Sequence, residues 1–196
     1  MNGFNIYMAG VGGQGIGLLS ETLLRAADHA GLPVKSVDTH GLAQRGGVVI
    51  SQLRIGLQAH SPLIATGEAD LVVALERHEA ARGVNEALRD GGTLIYYDTV
   101  WQPLDVRLNR VAAVDGAELE RHCQARGITV HRLCEPDLPD PRQQNMVVLA
   151  GIARHHLVPE VTRDHILQAL EDLMQGPMLA ANRRLFQSQL AKPDGD

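Results

Sequence analysis

"GVGGQG" (10–15) stands between "FNIYMA" (4–9) and "IGLLSETLLRAADHAG" (16–31). An apolar run that enters a glycine cluster and leaves as a helix reads as the βα turn of an open α/β sheet. The stretch 4–10 has the apolar continuity of a buried strand. Over 15–31, Leu18, Leu19, Leu23, Leu24 and Ala27 recur at helical spacing. Gly31 and Pro33 stop that helix, and "PVKSVD" (33–38) is expected as a second strand that completes a βαβ unit. Gly10, Gly12 and Gly15 satisfy G-x-G-x-x-G, with Gly13 as a further flexible position. Missing side chains permit a tight turn and close backbone approach, and the following helix offers free N–H groups to an anion. The same residues would also serve a ligand-free turn that needs glycine only for close helix–sheet packing.

Alternation continues outward from this unit. "VVISQLRIG" (48–56), "ADLVVAL" (69–75), "TLIYYDT" (93–99), "RVAAVD" (110–115) and "ITVHRL" (128–133) are expected as strands. The unbroken apolar run at 69–75 suits a strand covered on both faces. Helices are expected at 77–92 and 116–127, and after "CEPDLPDP" (134–141) only helical spacing remains, at 142–157, 162–175 and 177–191. The fold class is therefore α/β: a Rossmann-like, mostly parallel sheet covered by helices, with C-terminal helices. We expect one domain over 1–191, helical from about residue 142, and a flexible tail at 192–196.

Composition narrows the function. The net charge is −5, no long basic run occurs and aromatics are 3%, so phosphate-tracking stripes and base-stacking platforms both lack material and no nucleic-acid partner is expected. No stretch reaches transmembrane length and "MNGFNIYMAG" lacks a basic leader region. A cytoplasmic protein with no membrane partner is the expectation. Cys123 and Cys134 are the only cysteines; without a CxxC spacing they cannot hold an iron–sulfur cluster. His155 and His156 are adjacent, so they diverge on a helix and make poor joint ligands. His78 and Glu79 are expected to be solvated at a helix start, and no metal site is expected. None of the usual nucleophile or zinc-protease patterns is present.

The glycine loop alone leaves a nicotinamide enzyme open. Asp38, 23 positions after Gly15, stands where a ribose-binding acid is wanted, although an Asp ending a strand is also an ordinary turn residue. A ligand sensor of the same fold is also open. The second informative stretch is "THGLAQRGG" (39–47), expected as a loop. It would carry His40, Gln44 and Arg45 to the carboxyl end of the second strand, just before Gly46 and Gly47, beside the first glycine turn. Arg45 could pair bidentately with phosphate or carboxylate, and Gln44 could donate and accept. Equally, Arg45 could tie the loop to a neighbouring acid.

In the same order as "GVGGQGIGLLSETL", "HGLAQRGGVVISQLRIG", "SPLI", "GEADLVVALE" and "GGTLIYYDT", motifs occur in the gamma-type subunits of 2-oxoacid:ferredoxin (acceptor) oxidoreductases. "NMVVLAGIARH" (145–155) and "ANRRLFQ" (181–187) resemble that family's C-terminal helices, so the likeness spans nearly the whole chain. It is nearest to the small subunit of the indolepyruvate branch. The resemblance implies oxidative decarboxylation of a 2-oxoacid to an acyl-CoA, with electrons passing to ferredoxin, thiamine diphosphate and [4Fe–4S] clusters held by a large catalytic partner, and coenzyme A as a further ligand of the complex. This chain would bind none of these cofactors alone, contribute no proton-transfer catalyst and help enclose the partner's active site. Gly10, Gly12, Gly13 and Gly15 would present an anion-accepting or closely packed backbone. Gln14, His40, Gln44, Arg45, Gly46 and Gly47 would line the crevice. Two positions depart from the family pattern and bear on the choice of 2-oxoacid. Val48 stands where a small hydroxylic residue is frequent, and Asp98 where Asn is common.

Overall fold

The strand leading into the glycine turn lies near the centre of a six-stranded sheet. The structure, a computed structural model, describes residues 3–40, 47–57, 59–101, 106, 108, 112–138 and 140–192. The strands are β1 (Phe4–Val11), β2 (Val34–His40), β3 (Val48–Ile55), β4 (Ala69–Ala74), β5 (Leu88–Tyr97) and β6 (Thr129–Leu133), in the order β2-β3-β1-β4-β5-β6. Strands β1, β4, β5 and β6 run parallel; β3 is antiparallel to both of its neighbours, β1 and β2. The sheet is thus mostly parallel and the α/β reading holds. One detail of it is corrected: β2 does not lie beside β1, because β3 folds back between them. A strand that returns antiparallel needs only a short connection, whereas a parallel neighbour needs a crossover.

Period-two alternation sends the side chains of β1 to two separate cores. On one face, Ile6 and Met8 pack with Leu53, Ile55, Leu71, Val73 and Ile95 beneath four helices. These are α1 (Ile16–His29), α4 (Gln144–Arg154), α5 (Arg163–Leu173) and α6 (Gly176–Leu190), which contribute among others Leu23, Val148, Ile166 and Phe186. The C-terminal helices therefore pack on this chain's own sheet and on α1. On the other face, Tyr7, Ala9, Val72, Ala74, Leu94 and Tyr96 meet α2 (Arg77–Glu86) and α3 (Gly116–Ala125) through Ala80, Val84, Leu119 and Cys123. Gly83 allows α2 to sit close, since a Cβ there would come within 2.7 Å of Val72.

Three boundaries differ from expectation. Helix α2 ends at Glu86, not near 92, and β5 begins at Leu88. Pairing with β4 captures Leu88 opposite Ala69, and a register shift follows before Thr93 pairs with Leu71. Residues 112–115, expected to close a strand, have no regular structure and lead to Asp115, which caps α3 by accepting from Ala117 N–H at 2.8 Å. Thr39 and His40, expected in a loop, extend β2.

Candidate functional site at the carboxyl edge of the sheet

The path α1 takes from β1 crosses one face, and α2 leaves β4 across the other. Adjacent strands whose helices part in this way open a crevice at their carboxyl ends. The glycine turn forms its floor. Gly13 and Gly15 have φ of +102° and +85°, which side-chain-bearing residues resist. Gly15 is also the N-cap of α1, which has no side-chain cap and no acid in its first turn. The first-turn amides therefore lack intrahelical partners and carry the positive end of the helix. A Cβ on Gly10 would come within 2.8 Å of Ile16, and one on Gly15 within 2.6 Å of the Asn145 amide nitrogen. Asn145, in the first turn of α4, is buried there.

Gln14 has a different position from the one expected. Its side chain is fully buried. Oε1 accepts from Val11 N–H at 2.7 Å and Nε2 donates to the Leu75 carbonyl at 3.0 Å. It cross-ties the ends of β1 and β4 beneath the turn, with both ends of its amide committed to backbone. Gly12 N–H donates to the Gly47 carbonyl at 2.9 Å, which brings the end of the second glycine stretch directly against the first. His40 ends β2 opposite Val49. Gln44, Arg45 and Gly46 lie outside the described residues.

Asp38 does not meet the requirement of a ribose ligand. Its strand is separated from β1 by β3, a displacement of about 9–10 Å at ordinary strand spacing. Its carboxylate lies 3.4 Å from Ser20 Oγ on α1.

The opposite wall is the first turn of α2, whose role sequence reasoning missed. Glu76 is fully buried and caps the helix, Oε1 accepting from Glu79 N–H at 2.6 Å while Oε2 lies 3.1 Å from His78 Nδ1. His78 Nε2 accepts from Val114 N–H at 3.2 Å. With Nε2 accepting, the ring proton belongs on Nδ1, facing the carboxylate. His78 and Glu79, expected in solvent, are both buried, because α2 starts wedged between the exit of β5 and the 112–115 segment. Burial pushes the Glu79 carboxyl pKa up against the opposing charge of Arg82.

Arg77 N–H donates to the Thr99 carbonyl at 3.0 Å and its Nε to Asp98 Oδ1 at 2.7 Å. Arg132 Nε donates to Asp98 Oδ2, also at 2.7 Å. Burial opposes ionisation of Asp98, but hydrogen bonds from Arg77 and Arg132 outweigh it and hold the carboxyl below its usual range. A signal for Glu76 was present in the sequence, where an acid ends an apolar strand three residues before another helical acid. Nothing local marked Asn145 or the burial of His78.

These groups position backbone; they do not form a nucleophile–base pair. Among the described residues no group of three His, Cys, Asp or Glu side chains could hold a metal. A cavity of ≈ 370 Å³ lies at the opposite, amino end, lined by Asn5, Arg54, Glu68, Asp70 and Arg89 among others. Two of its side-chain pairs are engaged with each other: Arg89 Nε donates to Asp70 and Arg54 Nε to Asn5.

Residues 5–190 match the family described as pyruvate ferredoxin/flavodoxin oxidoreductase. The indolepyruvate oxidoreductase subunit IorB of Methanothermobacter thermautotrophicus is 47% identical over 198 aligned positions, 93% of this chain and 94% of that protein. The subunit of the same name from Archaeoglobus fulgidus is 51% identical over 78 residues, 40% of this chain and only 38% of that protein. Among solved structures, pyruvate oxidoreductase subunit PORC from Thermotoga maritima superposes with a TM-score of 0.66 at 21% identity, covering 97% of this chain and 96% of that one. A 2-oxoglutarate:ferredoxin oxidoreductase from Magnetococcus marinus gives 0.67 at 19% identity; it covers all of this chain, which spans about a third (32%) of that longer one. At these identities the structural likenesses speak for the fold. With the matched span and the 47% relative, the chain belongs to the pyruvate ferredoxin/flavodoxin oxidoreductase family.

Proposed function

We propose that the chain is the small, non-autonomous subunit of a cytoplasmic 2-oxoacid oxidoreductase that converts an arylpyruvate such as indolepyruvate to its acyl-CoA and passes electrons to ferredoxin. A large partner subunit supplies the reactive groups. The observation that carries this reading is the Gly12–Gly47 tie. It joins the glycine turn at 10–15 to Gly47 at the sheet edge where such folds bind ligands, in a chain whose described residues offer no catalytic pair of their own. The names of the relatives, indolepyruvate oxidoreductase subunits, support the substrate class.

The residues fit the expected cofactors unequally. Two cysteines, Cys123 buried in the α3 core and Cys134 exposed, cannot hold a [4Fe–4S] cluster, and the sequence carries no G-D-G motif for thiamine diphosphate. In this reading both groups reside on the partner. Coenzyme A fits better, because an uncapped helix N-terminus behind a glycine turn suits its phosphates. Backbone amides at Gly13, Gly15 and the start of α1 would hold a phosphate, with Arg45 neutralising charge. Coenzyme A supplies the thiol that takes up the acyl group. Here His40, Gln44, Gly46 and Gly47 line the crevice, and Gln14 holds the turn from below.

Reconstitution tests the reading. Co-expressed with its large partner and supplied with an arylpyruvate and coenzyme A, the chain is expected to be required for reduction of a viologen dye. Full activity of the partner alone, or tight NADH binding with fluorescence enhancement by the isolated chain, would overturn it.

A further inference from the structure

The reversed direction of β3 carries its last residues to the edge of the sheet where β1, β4 and β5 begin. Arg54 of β3 is thereby set opposite Asn5 of β1 on one side and Lys35 of β2 on the other. Arg54 and Asn5, with Asp70 and Arg89 at the starts of β4 and β5, line the ≈ 370 Å³ cavity at this edge. That volume lies toward the lower end of small-molecule sites, about 300–1,000 Å³. A Cβ on Gly67, which also lines it, would meet nothing within 4 Å, so the loop backbone leaves the space open.

The charges around this cavity do not balance. Asp70 uses both oxygens, Oδ2 accepting from Asn5 N–H and Oδ1 from Arg89 Nε, each at 2.8 Å. Arg89 is thereby neutralised, but Arg54 is not. All three of its partners are carbonyl oxygens: Asn5 Oδ1 at 2.9 Å, and the Ser61 and Leu63 backbones at 3.2 Å. Its cross-strand neighbour Lys35 likewise donates to a carbonyl, that of His60, at 3.0 Å. Neither cation forms an ion pair with a described residue. Like charges directly opposite each other across two strands repel, and a guanidinium cannot relieve this by losing its proton. Arg54 is only partly exposed, so salt screens it incompletely. The Nη2 groups of Arg54 and Arg89 make no hydrogen bond to a described residue, which leaves N–H donors for another group.

We propose that this cavity binds a small oxyanion, a carboxylate or a phosphate group, with Arg54 as the principal donor and Arg89 as the second. Each guanidinium contributes its Nη2 amino group, and charge-assisted bonds of this kind are the strong ones. An anion here would also offset the excess charge of the Lys35–Arg54 pair. Glu68 lines the same cavity, is exposed, and its carboxylate has no partner among the described residues. It repels a dianion more than a monoanion, so a carboxylate is the preferred occupant. None of these residues enters the subunit reading above.

The full chain, its arginines labelled with ¹³C and ¹⁵N, is titrated with sodium acetate and with sodium phosphate at constant ionic strength and at a pH where phosphate is dianionic. The arginine Nε–Cζ resonances are followed by carbon-detected NMR. Acetate should move the Arg54 and Arg89 signals saturably, while Arg121, exposed on α3, stays fixed. Arg54→Gln should abolish the response of Arg89. Because Arg54 also fastens the 61–63 backbone, two milder variants stand beside it. Arg89→Gln should weaken acetate binding by up to about 5-fold, the scale of an exposed charge pair, and Glu68→Gln should tighten phosphate binding by a similar factor. Shifts at Arg54 no larger than those at Arg121 would overturn the proposal and leave Arg54 and Lys35 as fasteners of the 60–63 backbone. Phosphate bound more tightly than acetate by the unaltered chain would overturn the choice of a carboxylate.

Discussion

Replacing Gln14 with Leu keeps the side chain's bulk and removes both of its hydrogen bonds. In the native turn the amide satisfies Val11 N–H at 2.7 Å and the Leu75 carbonyl at 3.0 Å, at zero exposure. Each buried backbone group left without a partner costs about 1–3 kcal/mol, so the pair together costs about 2–5 kcal/mol after some relaxation. For a chain of this size, ~2–4 °C of Tm per kcal/mol converts that to a fall of roughly 4–20 °C. Gln14→Asn, one methylene shorter, cannot reach both groups and should fall between. Differential scanning calorimetry of both variants measures this, with the exposed Gln187→Leu as a control that should stay within about 1–2 °C. A Gln14→Leu protein melting within that margin of wild type would show that the amide does not bear the turn.

Other substitutions probe the same framework. Gly15→Ala places a Cβ within 2.6 Å of Asn145 at φ +85°; it should lower Tm by at least several degrees, and adding Asn145→Gly should recover the part due to the clash, as calorimetry of both would show. Asp98→Asn removes the anion between Arg77 and Arg132 and should cost roughly 1–3 kcal/mol at neutral pH, discounted because Arg132 is largely exposed. The folded carboxyl is depressed, so its contribution is present above the unfolded value and lost as pH falls through the folded one; in urea titrations the gap between wild type and variant should be smaller at pH 3 than at pH 7. Burial pushes the Tyr7 hydroxyl up to about 12 from an ordinary 10.0, and that hydroxyl has no partner among the described residues. The unfolded chain therefore ionises first and stability falls as pH rises between those values. Tyr7→Phe should be neutral or stabilising at pH 7 and should flatten that alkaline slope in urea titrations.

The elements that sequence disclosed are those specified locally. The β1–turn–α1 unit needed only an apolar run, glycines where φ is positive and a helical stripe, and all three are visible in the chain. The insertion of β3 beside β1 was hidden, because strand character does not state which neighbour is chosen. Its half-exposed Gln52 and Arg54 alternating with buried Leu53 and Ile55 did carry the period of a strand with one fully buried face. The end of α2 was misread because Ala87 and Leu88 continue the helical stripe; pairing with Ala69 recruits Leu88 into β5 instead. Gln14 looked like a crevice residue because its position beside the glycines is shared by ligand-facing and supporting groups. Only the location of Leu75 at the end of the adjacent strand separates the two, and that is a tertiary fact. The burial of His78 has the same origin, since its cover comes from residues near 114, far along the chain.

The central claim is that the glycine turn at 10–15 and the glycine stretch that ends at Gly47 are covered by another polypeptide that holds the reactive groups. Hydrogen–deuterium exchange of the chain alone and in the assembled complex, read peptide by peptide, tests this most directly. Protection should rise on assembly at residues 10–17 and 40–48 and remain unchanged around Asn5, Arg54 and Asp70 at the amino edge. Equal exchange at both segments in the free and assembled chain would contradict the account.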